Sequence, residues 1–433
     1  MANIKTLYKK YSYYINYALL VFINGISSVL NYISSIYVNR SLSISDFAYY
    51  NGIINIYSII VLTVSSFSYY IMHHYKDDED AKIYWAYGYI TAFIISALYI
   101  LSIPLIDILF NIKNYSSLFI ISIGIFATIL GIVSQSILKI NNYIAYDYIA
   151  SLIAIFISKI LLLAYFIITG LTLFKSIITV TLFCVLYLII NLVELKKVNI
   201  PYFIPLNKIK IYLSKQNLYI FLRYIIHIVI INFIFNWISL SDVLMANRYL
   251  DKTSAGYYST ISLIIKMFFY IGTPIASVMF SYILIAKKDN NKSKEKKIIY
   301  YSLLLFVSAS FCLSGFLIIF AKQIVLIQFT SRYEAIIPLI PQAVIFGFSL
   351  GFTVITFNYG LAYKLFAPFY GYLIIFSYVY FSLRNGLRTF ENFMLIMKIF
   401  FTALLIYNIL IILIHRIIFK YKDNKIFKRT LSY

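Results

Sequence analysis

Four basic residues, Lys159, Arg223, Lys266 and Lys398, stand inside long apolar stretches of the chain. An ionisable group in hydrocarbon is costly and ordinarily faces a partner or a hydrated cavity. Lys266 lies eleven residues into its stretch, about 16 Å along a helix axis, where snorkelling to water is difficult. Lys159 lies about 12 Å from the nearer end of its own stretch. Arg223 and Lys398 are within snorkelling reach of an end, and His227 follows Arg223 one turn later on the same face. Such cations hold anions. The acids Asp107, Asp147, Glu194 and Asp242 all sit near the ends of stretches. The interior field is therefore positive, and a negatively charged cargo is favoured.

Polar residues accompany these cations at helical spacing. Ser259, Ser262, Lys266, Tyr270, Thr273 and Ser277 recur every three or four positions, as do Asn24, Ser28, Asn31 and Ser35. A weaker series runs through Asn51, Ser58, Ser65 and Tyr69. Such stripes either line a cavity or hydrogen-bond packed helices together. The candidate cargo-binding residues are Lys266, Lys159, Arg223, His227, Asn24, Asn31, Ser262 and Tyr270. No catalytic constellation accompanies them. There is no P-loop, and the adjacent His73 and His74 lack a carboxylate or cysteine at metal-ligand spacing. Neither a metal nor a cofactor is called for, and Cys184 and Cys312 fall inside apolar stretches, which implies no disulfide.

The elements that must position these residues are membrane helices. Of the 433 residues, 62% are hydrophobic and 12% charged, and the mean hydropathy is +0.87. Strand-period alternation is absent, so a barrel is not indicated. The pattern predicts an all-α polytopic membrane protein with about twelve spans: 12–38, 47–72, 83–106, 116–138, 143–167, 173–194, 218–240, 255–285, 298–320, 336–360, 365–382 and 392–416. Pro274 is expected to kink span eight, and Pro338 and Pro341 to shape the start of span ten. A six-helix lobe over 1–194, a basic linker over 195–217, a second six-helix lobe over 218–416 and a basic tail over 417–433 complete the organisation. With the N-terminus inside, inner loops and tails collect 24 Lys and Arg against 9 outside, which predicts that both termini are cytoplasmic. The net charge of +22 is thereby explained by anionic lipid without nucleic acid.

The two lobes read as a repeat. Leu42 begins LSISDFAYYNGIINIYSII and Leu250 begins LDKTSAGYYSTISLIIKMF, 208 residues apart. In each copy Tyr-Tyr follows seven and eight places after the leucine, with Ala48 or Gly256 just before the pair. Repeated lobes pack around a shared pathway in many transporters. With SLSISDFAYYNGIINIYSII from Ser41 and DVLMANRYLDKTSAGYYSTISLIIKM from Asp242, the chain resembles the Wzx-type lipid-linked oligosaccharide flippases. These belong to the multidrug/oligosaccharidyl-lipid/polysaccharide exporter superfamily. Gly256 and Tyr257 fit the family's small-Gly-x-Tyr turn, and Ala48 departs from it in the first copy.

The resemblance implies two six-helix lobes in an inverted V around a cationic cavity. It implies no enzyme activity. The implied cargo is an undecaprenyl-pyrophosphate-linked repeat unit of O-antigen or capsule, carried across the bacterial inner membrane by alternating access. It also implies coupling to a proton or sodium gradient and association with a polysaccharide polymerase and a chain-length regulator. Two rivals are a multidrug extruder of the same fold, which would want acids in its cavity, and an integral-membrane glycan polymerase or glycosyltransferase, which would want a sizeable outer loop.

Overall fold

The computed structural model describes residues 26–27, 29–75, 78–141, 143–201, 215–288, 291–365, 367–384 and 389–430. Among them the chain is helical throughout, with no strand. Ten helices are long and apolar enough to cross a membrane, and they correspond to spans two to ten and span twelve of the expected twelve. Span one lies largely outside the described residues, with 29–41 helical at its end. Span eleven is a 3-10 turn, Ala367–Tyr370, followed by Gly371–Arg384. Fourteen residues rise about 21 Å, short of a bilayer core of about 30 Å.

Polar residues punctuate the apolar run. Ser43 accepts from the Asp46 N–H, Asn114 from that of Ser117, Thr172 from that of Lys175 and Asn291 from that of Lys294. Each cap satisfies an end donor that lipid could not, and is worth about 1 kcal/mol. Asp251 caps the helix Lys252–Lys288, its carboxylate accepting from the N–H groups of Thr253 and Ser254 at 3.0 and 3.1 Å. These hydrogen bonds hold its carboxyl below the usual carboxylate value, against partial burial that pushes it up. Pro274 lies inside that helix, which runs on through it, and Pro341 stands in the first turn of Ile340–Tyr363.

The described chain forms two compact units, Met1–Gly256 and Tyr257–Tyr433. In the first, spans four (Tyr115–Ile140) and six (Leu173–Lys197) pack closely, because Gly124 and Gly131 give up side chains to Thr181 and the Tyr187 ring. Span five is built in three pieces: α-helix over Ile144–Ile155, π-helix over Phe156–Leu162 and α-helix over Leu163–Ile168. In the second unit a Cβ on Gly272 would lie 2.9 Å from the Gly351 carbonyl, so spans eight and ten meet backbone to backbone. Asn408 ties the same unit together, accepting from the Tyr372 hydroxyl at 2.5 Å and donating to Thr353 Oγ1 at 2.9 Å. Towards its basic loop, the Lys287 ammonium lies 3.6 Å over the Tyr363 ring, and the Tyr363 hydroxyl donates to Glu295 at 2.7 Å. Burial pushes the Lys287 amine below its ordinary value.

The two repeated motifs touch. A Cβ on Gly256 would stand 2.3 Å from the Ile44 carbonyl oxygen, so only glycine fits where the second motif crosses the first. Asn247 donates to the Ala48 carbonyl at 3.1 Å, and the Lys252 ammonium lies 5.5 Å over the Tyr49 ring. Asn39 is likewise buried and stands 208 positions before Asn247. The repeat thus extends upstream, Asn39-Arg40-Ser41-Leu42 matching Asn247-Arg248-Tyr249-Leu250.

Candidate functional site

Lys159 sits in the π-helical stretch of span five. There the wider turn departs from α register, and such turns recur at functional sites. Its ammonium donates to Asn31 Oδ1 at 2.6 Å and lies 5.0 Å over the Phe183 ring. Span one, span five and span six therefore meet at this cation, and two sequence candidates 128 residues apart are brought into contact. The backbone carbonyl of Asn31 accepts from the side-chain hydroxyls of Ser34 and Ser35 at 2.8 and 3.0 Å. Nearby, the Tyr57 hydroxyl pairs with Thr128 Oγ1 at 2.8 Å and Cys184 Sγ at 3.1 Å. Tyr57, Thr128 and Phe183 carry no signal in one sequence, because aromatic and hydroxyl residues are common throughout these helices.

The span-eight stripe changes character along its length. Ser259 and Ser262 are buried, Lys266 is half-buried, and Tyr270, Thr273 and Ser277 are exposed. Lys266 stands where the stripe passes from packed to open. Thr273 and Ser277 return their hydroxyls to the Phe269 and Pro274 carbonyls. Lys398 is exposed. Asn24 and Ser28 lie outside the described residues. Arg223 and His227 are placed on the helix Lys215–Tyr249, one turn apart, and their side chains lie outside what is described. Among the described residues no three of His, Cys, Asp and Glu converge as a metal site.

A family model described as polysaccharide biosynthesis protein matches residues 37–338. The chain belongs to that family. No curated protein matches it significantly. Its fold is that of solved transporters of the MOP superfamily. An inward-facing multidrug resistance MATE family transporter superposes with a TM-score of 0.67 at 15% identity, over 89% of this chain and 93% of that one. The lipid II flippase MurJ, in an inward closed conformation, gives 0.62 at 16% identity, over 90% and 86%. A MOP superfamily transporter from Pyrococcus furiosus Vc1 gives 0.56 at 18% identity, over 90% and 92%. The member of the polysaccharide biosynthesis family described here is thus a multi-pass membrane protein with a transporter fold, as the sequence resemblance implied. In it the polar centre of the first unit carries Lys159.

Proposed function

We propose that this protein is a flippase. Its cargo is an undecaprenyl-pyrophosphate-linked oligosaccharide repeat unit of O-antigen or capsule, moved from the cytoplasmic to the periplasmic leaflet by alternating access. The observation that carries the reading is the sign of the interior charge. Lys159 and Lys266 stand deep in spans, and Lys159 is oriented by a neutral amide at 2.6 Å, with no acid paired to it among the described residues. A buried ammonium with spare donor capacity suits a pyrophosphate, whose oxygens accept several charge-assisted hydrogen bonds. The Pyrococcus transporter of this fold has been described by a reverse polarity of its binding pocket, suggesting a different function. Polarity is thus a property that this fold varies, and a cationic interior argues against an extruder of cations.

Family membership in polysaccharide biosynthesis and likeness to a protein described as a lipid II flippase both support a lipid-linked glycan. The lipid tail would stay in the bilayer while Lys159, Lys266 and the Arg223–His227 pair meet the headgroup. The bias of Lys and Arg towards inner loops supports placement in a bacterial inner membrane with both termini cytoplasmic. A polymerase and a chain-length regulator at the periplasmic face are the partners this role calls for, and an ion gradient would drive it.

A deletion strain tests the reading. Lipid-linked repeat units should accumulate on the cytoplasmic leaflet and return to the surface on complementation. If single repeat units still reach the surface in the deletion strain, the protein acts after translocation, as a polymerase would, and the flippase reading fails.

A further inference from the structure

The inner end of the second unit gathers ionisable side chains that the flippase reading leaves unused. The helices Lys252–Lys288, Lys292–Ile319, Ile340–Tyr363 and Phe390–Thr430 all send residues there. The last carbonyls of a helix lack partners of their own, and a cation suits that end of the helix dipole. At the end of Ile340–Tyr363 this role falls to span eight: the Lys287 ammonium donates to the Ala362 carbonyl at 2.7 Å. It also lies 3.6 Å from the centre of the Tyr363 ring. The Tyr363 hydroxyl donates to Glu295 of span nine at 2.7 Å, and Glu295 is buried although it stands in a first helical turn. Span twelve brings His415 to the same ring, with 4.8 Å between centroids. The His415 Nδ1 shares a hydrogen bond of 2.6 Å with the hydroxyl of Tyr359, which is buried one turn before Tyr363.

Among the described residues, the groups that face His415 are Tyr359 and Tyr363 from span ten, Lys287 from span eight and, through the Tyr363 hydroxyl, Glu295 from span nine. Burial pushes the Lys287 amine below its ordinary value; Glu295 opposes this, and Lys364, just past span ten, adds to it. With a neutral imidazole, one ammonium and one carboxylate balance around one phenol ring. With an imidazolium, two cations share that ring and that acid. Both rest on Tyr363, so they stand within about 10 Å of each other, a range over which 0.1 M salt screens incompletely. Of the two, Lys287 is the one able to leave. It is half-buried at a helix end, on a flexible stem, and its nearest contacts are a neutral carbonyl and a ring. His415 stands on a helix that continues past it and packs on two tyrosine rings.

We propose that His415 senses cytoplasmic pH: when it takes up a proton, the Lys287 ammonium leaves the Ala362 carbonyl and the turn between spans eight and nine is released. Imidazole is the group in this cluster whose charge ordinarily changes between pH 5 and 8. One proton from water binds the ring nitrogen that lacks one, and no other covalent bond forms or breaks. The turn transmits the change. Its Asn291 N–H donates to the Ala286 carbonyl at 2.9 Å, one residue before Lys287, and the Asn291 side chain caps span nine at the Lys294 N–H. The first turn of span nine is thereby loosened together with Lys287. The sensor rests on the orientation proposed above, which the bias of Lys and Arg supports, and is independent of the cargo.

The test uses the full chain in lipid nanodiscs. A nitroxide spin label is attached at Ser293→Cys, an exposed residue in the first turn of span nine, with the exposed Cys312 replaced by serine. With His415 present, the mobile fraction of the label should rise at least threefold between about pH 8 and about pH 5.5. His415→Asn, which keeps a hydrogen-bonding group for Tyr359, should hold the label immobile at both. His415→Arg, a fixed cation, should leave it mobile at both. Simple packing by His415 would change mobility without a pH step. If His415→Asn does not accumulate, His415→Gln is read in its place. The same mobility at both pH values overturns the proposal, as does a step that persists without the imidazole. Nanodiscs expose both faces and the label does not read export, so neither the flippase reading nor the orientation enters the result; the orientation stands or falls separately, by thiol labelling of the Lys287–Lys297 loop in intact cells.

Discussion

Replacing Lys159 by methionine separates what this residue does for the cargo from what it does for the fold. The ammonium gains a hydrogen bond to Asn31 at 2.6 Å and a ring face at 5.0 Å. These are worth about 1.5–3 and about 0.5–2 kcal/mol respectively. Against them stands the cost of removing an ammonium from water, several kcal/mol after relaxation. The sums nearly cancel, and methionine keeps the stem's volume and flexibility. Lys159→Met should therefore leave membrane abundance and melting temperature within a few degrees of wild type, or slightly raised. Export should behave otherwise. A charge-assisted contact to a phosphate lost in the bound state costs about 1.5–3 kcal/mol, or roughly ten- to hundredfold in rate. The assay is complementation of surface polysaccharide in the deletion strain, normalised to tagged protein in the membrane. Near-wild-type export would show that the cation is structural. Disappearance of the protein would show that the Asn31 contact holds the fold, and either result refutes the reasoning.

Lys266→Ala should lower export severalfold or more at normal abundance, with Lys266→Arg retaining part of the activity, as read by the same complementation. Gly256→Val should abolish membrane accumulation, because a side chain there meets the Ile44 carbonyl at 2.3 Å, whereas Ala48→Gly should be tolerated; immunoblots of membranes decide both. Single cysteines placed in the Lys287–Lys297 loop should be protected from a membrane-impermeant thiol reagent in intact cells, and those at 384–388 blocked; labelling of the first from outside would overturn the orientation.

The spans were legible because apolar length is written directly into composition. Span eleven is the instructive case. Its apolar, aromatic stretch reads as a span, but Ala367–Tyr370 forms a 3-10 turn and only fourteen residues remain as α-helix. The repeat was legible at its Tyr-Tyr pair. Its Asn39/Asn247 half became evident only once Asn247 was seen to cap the Ala48 carbonyl, since a lone buried asparagine looks like any other polar residue. The Lys159–Asn31 contact could not be read, because nothing in one sequence couples positions 128 apart. Asp147 was read as an interfacial acid by its distance from a span end. Its burial depends on Gln135 and Tyr187, which arrive from two other helices.

The π-helical stretch in span five has a consequence for comparing this chain with others. A π turn holds an extra residue relative to an α turn, so span five behaves like a helix bearing a small insertion. Removing one residue from Phe156–Leu162 would restore α register while leaving the residues beyond on nearly the faces they now occupy relative to Asp147. A gap-free alignment of this span to a regular α-helix would then pair Lys159 with a residue on a different face. Homologues that carry a cation at this place should carry the extra residue too, and alignments should open a one-residue gap here before any residue is equated with Lys159.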